Sequence, residues 1–464
     1  MAATELKIAY IGGGSRDWAR KLMLDLARCP DLGGRMALYD IDGDSARLNE
    51  ELGNWLQARP GVVSRWKYET VSTLDEALRG ADFVVISIQP GPLELMAQEI
   101  AIAEEYGMYF PVGDTTGAPG LNRGLRSVVT YAGFAEAIVK TCPEAWVINY
   151  TNPMSICTRT LAKLAPGLKV FGCCHEVFNT QKMLADLVSR YWGISPAPDR
   201  REMNCNVIGI NHFTWIDRCQ YQGRDVLELM RHHIAQPGTV RAFSRAEVEG
   251  FHDWFHSTDQ IKYALLPRFG ILAAAGDRHL VEFLPGFTRS IDGLFRWGII
   301  RTPVSYRIER WRAAPQKTRD LMAGRTPLEL RGSGEEGVQQ IKALVGLGEW
   351  NSNVNLPNRG QIANLPLGAV VETNAHFGRD EIRPLTAGSL PPGLAPLIAR
   401  HAANQELIID AALTNAPDLA FQAMYLDPAN RLDVDDTWKM FRRMAAVNRD
   451  FLPDWKLPGP ERIE

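Results

Sequence analysis

A glycine-rich turn near the N-terminus has the residue types and the spacing of a nucleotide-binding site. Gly12, Gly14 and Ser15 follow a short apolar strand and precede a segment with the apolar periodicity of a helix. Such a turn lets the backbone approach a pyrophosphate at the helix N-terminus. Asp40 ends the second strand, where its carboxylate would accept hydrogen bonds from a ribose diol and repel a 2′-phosphate. The pattern predicts NAD rather than NADP, with Asp42 as a rival ribose ligand and a turn without a ligand as the alternative.

Soft and borderline metal ligands follow two further predicted strands. Cys174 and His175 come after a strand that ends at Phe171, and His212 lies within a later apolar segment. A thiolate with imidazole nitrogen suits Mn²⁺, Fe²⁺, Co²⁺ or Zn²⁺. From spacing alone, a buried thiol and a structural histidine are the more ordinary interpretation, because the sequence contains no C-x-x-C or H-E-x-x-H pattern.

Two segments rich in turn residues carry the candidate proton-transfer groups. Asp114 lies in the loop at 113–120, and Asp277 lies in the segment 276–283. On chemistry alone, each carboxylate is explained equally well as a general acid or base and as a turn or cap residue. In open α/β sheets, ligands bind beyond the carboxyl ends of the strands. The polar residues that follow the predicted strands are therefore the candidates for a ligand site.

The elements that position these residues alternate between strand and helix in the first half of the chain. The predicted strands span 6–11, 36–39, 81–88, 146–150 and 168–171. Such alternation is typical of βαβ units with a parallel sheet. The second half is less regular, with a strand predicted at 207–215 and a strand-rich segment at 359–372. We expect an α/β protein with a Rossmann-like doubly wound parallel sheet in residues 1–200 and a larger mixed α+β domain in residues 201–464.

Composition and charge exclude several classes of protein. The chain has 464 residues with 51 Lys and Arg against 54 Asp and Glu, so its net charge of −3 gives no reason to expect a nucleic-acid or membrane partner. No apolar run approaches the roughly 18 residues of a membrane-spanning helix, and the N-terminus has no secretion-signal pattern. Seven thinly spread cysteines indicate reduced thiols. A cytoplasmic protein is therefore expected.

Eight segments occur in an order that is more specific than any one of them. They are IGGGS (11–15), LYDID (38–42), GDTTGAPG with NRGLR (within 113–126), NYTNPMSICT (149–158), GCCHEV (172–177), GINHFTW (209–215), GDRHLVEFLP (276–285) and LPNRGQIANLPLGAVVE (356–372). In this combination the chain resembles the NAD-dependent family 4 glycoside hydrolases. Lactate and malate dehydrogenases are similar to the first half only and lack the Cys-His segment. We expect a homodimer or homotetramer that acts on a small-molecule glycoside.

The resemblance implies NAD and a divalent transition metal, usually Mn²⁺, as cofactors. It assigns Cys174 and His212 as the metal ligands, which reverses the interpretation from spacing alone. It also implies that the glycine turn and Asp40 bind NAD, and that Asn152 contacts sugar hydroxyls or the nicotinamide region.

The reaction that the resemblance implies is a redox-assisted elimination, unlike the two-carboxylate hydrolysis of most glycosidases. NAD⁺ takes hydride from carbon 3 of the sugar, and a base removes the proton that this oxidation acidifies at carbon 2. The glycosidic oxygen leaves, water adds, and the hydride returns. The metal stabilises the charge that develops on the sugar oxygens. Asp277 is the candidate base, and Asp114 and His175 are rival candidates for the acid.

The sequence Cys-His-Glu-Val at 174–177 is similar to that of α-uronidases, with α-glucosidases and α-galactosidases as the alternative. An acidic substituent, either a uronide or a sulfonate, would need a cation. The candidate substrate-binding residues are Asn152, Arg123, Glu176, His279 and Arg301, and the further cations available are Arg126 and Arg278.

Two other functions compete with an NAD- and metal-dependent glycosidase. One is a true dehydrogenase that oxidises a sugar or hydroxy acid and releases NADH. The other is an NAD-binding module without catalysis. The Cys174 and His212 pair, together with two candidate carboxylates, favours the glycosidase.

Overall fold

The computed structural model describes residues 3–452 and 454–455, and six parallel strands from the first half of the chain form much of its main sheet. These strands are β1 (Thr4–Ile11), β2 (Leu32–Tyr39), β3 (Arg65–Thr70), β4 (Phe83–Ile86), β5 (Trp146–Asn149) and β6 (Lys169–Gly172). Their spatial order is β3-β2-β1-β4-β5-β6, which is the order of a doubly wound dinucleotide-binding fold. The Rossmann-like architecture predicted from the sequence is therefore confirmed.

Helices cover both faces of these strands, which is why the strand sequences are almost continuously apolar. All four residues of β4 are buried, as expected for a sheet without a solvated face. Leu22, Met23 and Leu26 form the buried stripe of α1 at helical spacing. The helices of this half are α1 (Trp18–Ala27), α2 (Gly43–Gln57), α3 (Leu74–Leu78), α4 (Leu93–Glu105), α5 (Gly117–Thr141), α6 (Met154–Leu164) and α7 (Glu176–Trp192).

The second half of the chain also contributes strands to the main sheet. The strands of this half are β7 (Asn204–Ile210), β8 (Phe213–Tyr221), β9 (Arg224–Asp225), β10 (Leu272–Ala273), β11 (Trp350–Pro357), β12 (Val370–Gly378) and β13 (Glu381–Pro384). Strand β11 pairs antiparallel with β6 at Asn355 and Gly172, and β12 and β13 continue the sheet to nine strands. The two predicted domains thus share one sheet, and the division near residue 200 stays a prediction.

Two strand predictions in the second half need correction. The segment 207–215 is not one strand, because β7 and β8 form a hairpin that turns at Asn211 and His212. The turn requires a φ of 62° at His212, a left-handed conformation that is uncommon outside glycine. In the predicted strand-rich segment 359–372, the strand β12 begins only at Val370, because the preceding residues form turns.

Helices make up most of the remaining second half. They are α8 (Val226–Ile234), α9 (Arg245–Glu249), α10 (Gln260–Phe269), α11 (Asp277–Phe283), α12 (Ile291–Arg296), α13 (Val304–Met322), α14 (Gly337–Leu344), α15 (Ala395–Thr414), α16 (Pro417–Tyr425) and α17 (Val434–Val447). In the described part of the chain, none of the helices combines the length and apolar character needed to cross a bilayer.

A buried ion pair ties α5 to α4 and to the end of α17. The guanidinium of Arg126 donates to Glu99 at 2.5 and 3.1 Å, to the side-chain oxygen of Asn448 at 2.8 Å and to the carbonyl of Pro90 at 2.8 Å. Arg126 is only 1% exposed. It is therefore committed to the fold, which removes it from the cations that the sequence offered for an acidic substrate.

We expect the Arg126→Met variant to lose about 3–5 kcal/mol of unfolding free energy, because Glu99 is left buried without its partner. Arg443 is the matched control, since its pair with Glu105 lies at the surface and its removal should cost about 0–1 kcal/mol. Denaturant unfolding followed by circular dichroism measures both. Equal losses in the two variants would contradict the structural role, and the Glu99→Leu/Arg126→Met double variant should regain stability relative to the single variant.

Candidate active site

Three side chains from distant parts of the chain meet beyond the carboxyl ends of the parallel strands. Asp114 precedes α5, His212 lies in the β7–β8 turn, and His279 lies in the first turn of α11. One ligand atom from each of the three lies within 4.8 Å of the others, and the two imidazole ring centroids are 3.8 Å apart. A carboxylate and two imidazoles at this spacing are suited to holding a divalent metal ion. We call these three residues the Asp-His-His cluster.

Thr115 links two members of the Asp-His-His cluster and fixes the orientation of one ring. Its hydroxyl donates to Asp114 Oδ1 at 2.8 Å and lies 2.9 Å from His212 Nδ1. Because the hydroxyl has only one proton, His212 Nδ1–H donates to Thr115, and Nε2 keeps its lone pair for a metal. Burial, followed by the charge of His279, lowers the pKa of His212 to about 3, so the ring is neutral, as a metal ligand must be.

The Asp114 carboxylate is held in its ionised form. Burial alone would raise its pKa, but the neighbouring His279, Arg307 and Arg123 hold that pKa well below its ordinary value. Arg307 was not among the residues predicted from the sequence, because α13 contains many arginines at the surface and nothing in the sequence distinguishes this one. An ionised Asp114 is a proton acceptor or a metal ligand rather than a ready proton donor.

Glu282 holds the loop that carries Asp114. Its Oε1 accepts the backbone N–H groups of Val112 at 2.7 Å and Gly113 at 2.9 Å. Burial raises the pKa of Glu282 to about 8, and the nearby Asp114 charge acts in the same direction. No local pattern singles out Glu282, since its contact with the loop bridges positions about 170 residues apart.

Glu176 ties the start of α7 to the loop before α11. Its Oε2 accepts the N–H of Gly276 at 2.9 Å, and its Oε1 lies 3.9 Å from His279 Nε2. A Cβ at Gly276 would lie 2.8 Å from this carboxylate, so a larger residue there would displace the Glu176 side chain. Despite burial, which raises it, the pKa of Glu176 is lowered to about 2 by His279, His212 and His175. Glu176 therefore contributes negative charge next to the Asp-His-His cluster.

Cys174 is buried at the end of β6, beside acidic groups. Burial raises the pKa of its thiol well above the ordinary value, and the charges of Glu372 and Glu176 add to the effect. Glu372 accepts hydrogen bonds from Asn211 at 3.1 Å and from Asn353 at 2.6 Å. A thiol in such surroundings ionises when a divalent cation binds beside it. These surroundings fit a metal, although Cys174 is not one of the three residues of the Asp-His-His cluster.

The two other predicted catalytic residues make their contacts outside the Asp-His-His cluster. Asp277 is fully buried, and its carboxylate accepts the N–H of Ile261 at 2.9 Å at the start of α10. Burial raises the pKa of Asp277. The His175 ring lies 5.6 Å from that of Trp18, and its Nδ1 is 3.2 Å from a Glu335 oxygen. The roles of Asp277 as a base and His175 as an acid stay predictions.

Two of the arginines predicted to bind substrate are engaged with the protein. Arg123 donates from Nε to the carbonyl of Asn152 at 2.8 Å and from Nη2 to Gln89 at 3.1 Å. Burial lowers the pKa of Arg123 to about 10. Arg301 forms an ion pair with Glu104. Arg123 therefore positions the predicted substrate contact Asn152, and Arg301 has a protein carboxylate as its counter-ion.

The glycine turn is held by the acid that was predicted to bind ribose. Asp40 Oδ2 accepts the N–H of Gly14 at 2.8 Å, and Oδ1 accepts the N–H of Asp42 at 2.9 Å. Asp42 caps α2 by accepting the N–H of Ser45 at 3.1 Å, and the choice of Asp40 over Asp42 as the ribose ligand stays a prediction. Gly12 has a φ of 91°, and a Cβ there would lie 2.1 Å from the Ser87 carbonyl oxygen. None of the described side chains caps α1, so its first N–H groups are available to a phosphate.

Comparison with known proteins gives consistent results over most of the chain. Residues 7–190 match the description Family 4 glycosyl hydrolase, and residues 207–430 match Family 4 glycosyl hydrolase C-terminal domain. A relative from Thermoanaerobacterium saccharolyticum named alpha-galacturonidase is 44% identical over 455 residues, which is 98% of each chain.

Two solved structures are similar to the whole chain. The crystal structure of lplD from Bacillus subtilis is 45% identical, with a TM-score of 0.88, and covers 95% of this chain and 99% of its own. A 6-phospho-alpha-glucosidase from gut microorganisms, in complex with NAD and Mn²⁺, is 20% identical with a TM-score of 0.80 and covers 98% and 100%. At 20% identity the similarity shows the fold alone.

Cobalt binding distinguishes a metal site that includes the Cys174 thiolate from one formed by the Asp-His-His cluster alone. If Cys174 is a ligand, Co²⁺ should give a thiolate-to-cobalt charge-transfer absorption that Cys174→Ser removes. Cys173→Ser is the matched control, because its thiol faces Gln340 at 2.9 Å and the absorption should persist. His212→Asn should weaken Co²⁺ affinity by about tenfold to a hundredfold or more. Co²⁺ binding by the wild type without this absorption would exclude the thiol and leave the Asp-His-His cluster as the metal site, whereas an absorption that persists in Cys174→Ser would assign it to another thiol.

Proposed function

Since the chain belongs to the family 4 glycosyl hydrolases and is therefore a glycosidase, we propose that its substrate is an α-galacturonide. The observation that carries the proposal is the 44% identity, over 98% of both chains, to a relative named alpha-galacturonidase. The electrostatics of the site support it, because the positive charges of Arg278 and Arg307 act on the Asp-His-His cluster. Fixed cations of this kind favour an acidic sugar over a neutral one.

We also propose that the enzyme uses NAD and Mn²⁺. The glycine turn, the free N-terminus of α1 and the position of Asp40 support NAD binding by Gly12, Gly14, Ser15 and Asp40. The buried thiol of Cys174 and the neutral ring of His212 support metal binding. When bound, these groups supply reversible hydride transfer at carbon 3 and Lewis acidity at the sugar oxygens.

The residues of the chain have distinct tasks in this proposal. Thr115 holds the His212 tautomer that leaves Nε2 free, and Glu282 holds the loop at Asp114 in place. Asp277 is the candidate that takes the proton from carbon 2. The positive charges around Asp114 favour its ionised form, which favours His175 as the proton donor to the leaving oxygen.

Two further proposals concern the setting of the enzyme. All seven cysteines are free thiols and are buried, which supports the cytoplasmic location predicted from their spacing.

The homodimer or homotetramer stays a prediction. Size-exclusion chromatography with light scattering measures the oligomeric state.

The function is tested with nitrophenyl α-galacturonide, α-glucuronide, α-galactoside and α-glucoside in the presence of catalytic NAD⁺, Mn²⁺ and a reductant. We expect the highest kcat/KM for the galacturonide, about tenfold to a hundredfold above the galactoside, because charge-assisted hydrogen bonds contribute about 1.5–3 kcal/mol. Nitrophenol should appear without stoichiometric NADH.

The other outcomes identify the competing functions. A neutral glycoside as the best substrate would contradict the acidic specificity. Stoichiometric NADH would indicate a dehydrogenase. Absence of turnover with all four glycosides, in protein that binds NAD⁺, would favour the binding module.

A further inference from the structure

Two arginines beside the Asp-His-His cluster carry buried N–H groups without partners. The Nε atoms of Arg278 and Arg307 are both inaccessible to solvent, and neither has a hydrogen-bond partner among the described residues. A buried N–H donor, above all one on a charged group, is expected to have a hydrogen-bond acceptor. An acceptor on a bound ligand would complete the hydrogen bonds of both arginines.

Arg278 lies on α11 and Arg307 lies on α13, and the carbonyl oxygen of Trp254 links the two regions. Arg278 Nη1 donates to the carbonyl of Trp254 at 2.8 Å, and Thr302 Oγ1 donates to the same oxygen at 3.1 Å. Thr302 lies just before α13, and its N–H donates to the carbonyl of Pro111 at 3.1 Å. The start of α13 is therefore held between Arg278 and the loop that leads to Asp114. Arg307 follows one turn into this helix.

The charges of the two arginines act on each other. Arg278 directly precedes His279 of the Asp-His-His cluster in the chain, and its positive charge and that of Arg307 repel each other. Arg307 also acts on Asp114 and His279, so both guanidinium groups border the Asp-His-His cluster. Two neighbouring cations that repel each other are stabilised by an anion placed between them.

The other arginines near the site do not combine an unpartnered Nε–H group with a guanidinium that is free of a protein carboxylate. Arg123 uses Nε and Nη2 in hydrogen bonds to the protein, Arg126 is paired with Glu99, and Arg301 is paired with Glu104. Among the described residues, no hydrogen bond from Arg307 to another side chain is formed, and Arg278 uses one Nη atom on a neutral carbonyl. The Nε of Arg301 is also buried without a partner, but Arg301 has the Glu104 carboxylate as its counter-ion. Among the described residues of this group, only Arg278 and Arg307 combine an unpartnered Nε with the absence of a carboxylate counter-ion.

We propose that Arg278 and Arg307 bind the carboxylate of the acidic sugar and thereby determine the specificity for a uronide. This inference rests on the proposed function, since it assigns the residues that recognise the acid group. A planar guanidinium presents paired N–H donors that match the two oxygens of a carboxylate. With the carboxylate between them, both buried Nε–H groups gain an acceptor and the repulsion between the two cations is offset.

The test compares kcat/KM for nitrophenyl α-galacturonide and α-galactoside in the holoenzyme. In Arg278→Gln and Arg307→Gln, we expect the ratio of galacturonide to galactoside to fall by about tenfold to a hundredfold. Arg307→Lys should give an intermediate ratio, because it keeps the charge but not the planar fork. Arg310→Gln is the matched control on the same helix, since Arg310 is half exposed and lies 3.7 Å from Asp17, and its ratio should equal that of the wild type.

Failure of this inference and failure of the proposed function give different results. A wild-type enzyme that prefers the galactoside contradicts the proposed function. A wild-type preference for the galacturonide that persists in both Gln variants overturns the inference alone.

Calorimetric titration of galacturonate and galactose into the holoenzyme tests the inference without turnover. Galacturonate affinity should fall by about tenfold or more in both Gln variants, with galactose affinity changing less. Equal galacturonate affinity in the wild type and both variants, or no galacturonate binding to the wild type, overturns the inference. Arg278→Lys, with an intermediate affinity expected, replaces Arg278→Gln if that variant does not fold.

Discussion

The burial of an ionised carboxylate at Asp114 is the constraint on which the arrangement of the site depends. An unpaired buried charge costs several kcal/mol, so such a group must be surrounded by positive charge and hydrogen-bond donors. Thr115 supplies the donor, and His279, Arg307 and Arg123 supply the charge. These residues come from α5, α11, α13 and the loop before α5. Satisfying one carboxylate therefore requires the two halves of the chain to fold together.

The shared nine-stranded sheet makes this convergence possible. The parallel strands bring Cys174 to their carboxyl edge, and the antiparallel extension places Glu372 on β12 close to it. The β7–β8 turn adds His212, whose left-handed backbone lets a tight hairpin present an imidazole at its tip. Neither half of the chain holds the whole site. The two predicted domains therefore cannot act independently, since each supplies only part of the site.

Local patterns in the sequence predicted the parts of the protein that depend on local structure. The apolar strands, the glycine turn and Asp40 were all recognisable, because each depends on residues close together in the chain. The hairpin at Asn211 and His212 was missed, since the flanking apolar residues continue on both sides of the turn without a glycine or proline between them. The resemblance to a family, rather than spacing, pointed to His212 as a site residue.

Contacts between distant segments could not be predicted from the sequence. Glu282, Thr115 and Arg307 have ordinary surroundings in the chain, and their importance depends on tertiary contacts with the Asp114 loop. For the same reason, Arg126 seemed available for an anion, although Glu99 occupies it. A long-range ion pair leaves no local pattern, so the sequence cannot separate a structural arginine from one that awaits a substrate.

Proton removal from carbon 2 by Asp277 is the central step of the proposed reaction. Turnover of nitrophenyl α-galacturonide in D₂O, with the product analysed by nuclear magnetic resonance, tests this step. We expect deuterium at carbon 2 of the released galacturonate, and loss of this exchange in Asp277→Asn with NAD⁺ binding retained. Release of galacturonate without deuterium at carbon 2 would show direct displacement at the glycosidic bond and would contradict the account.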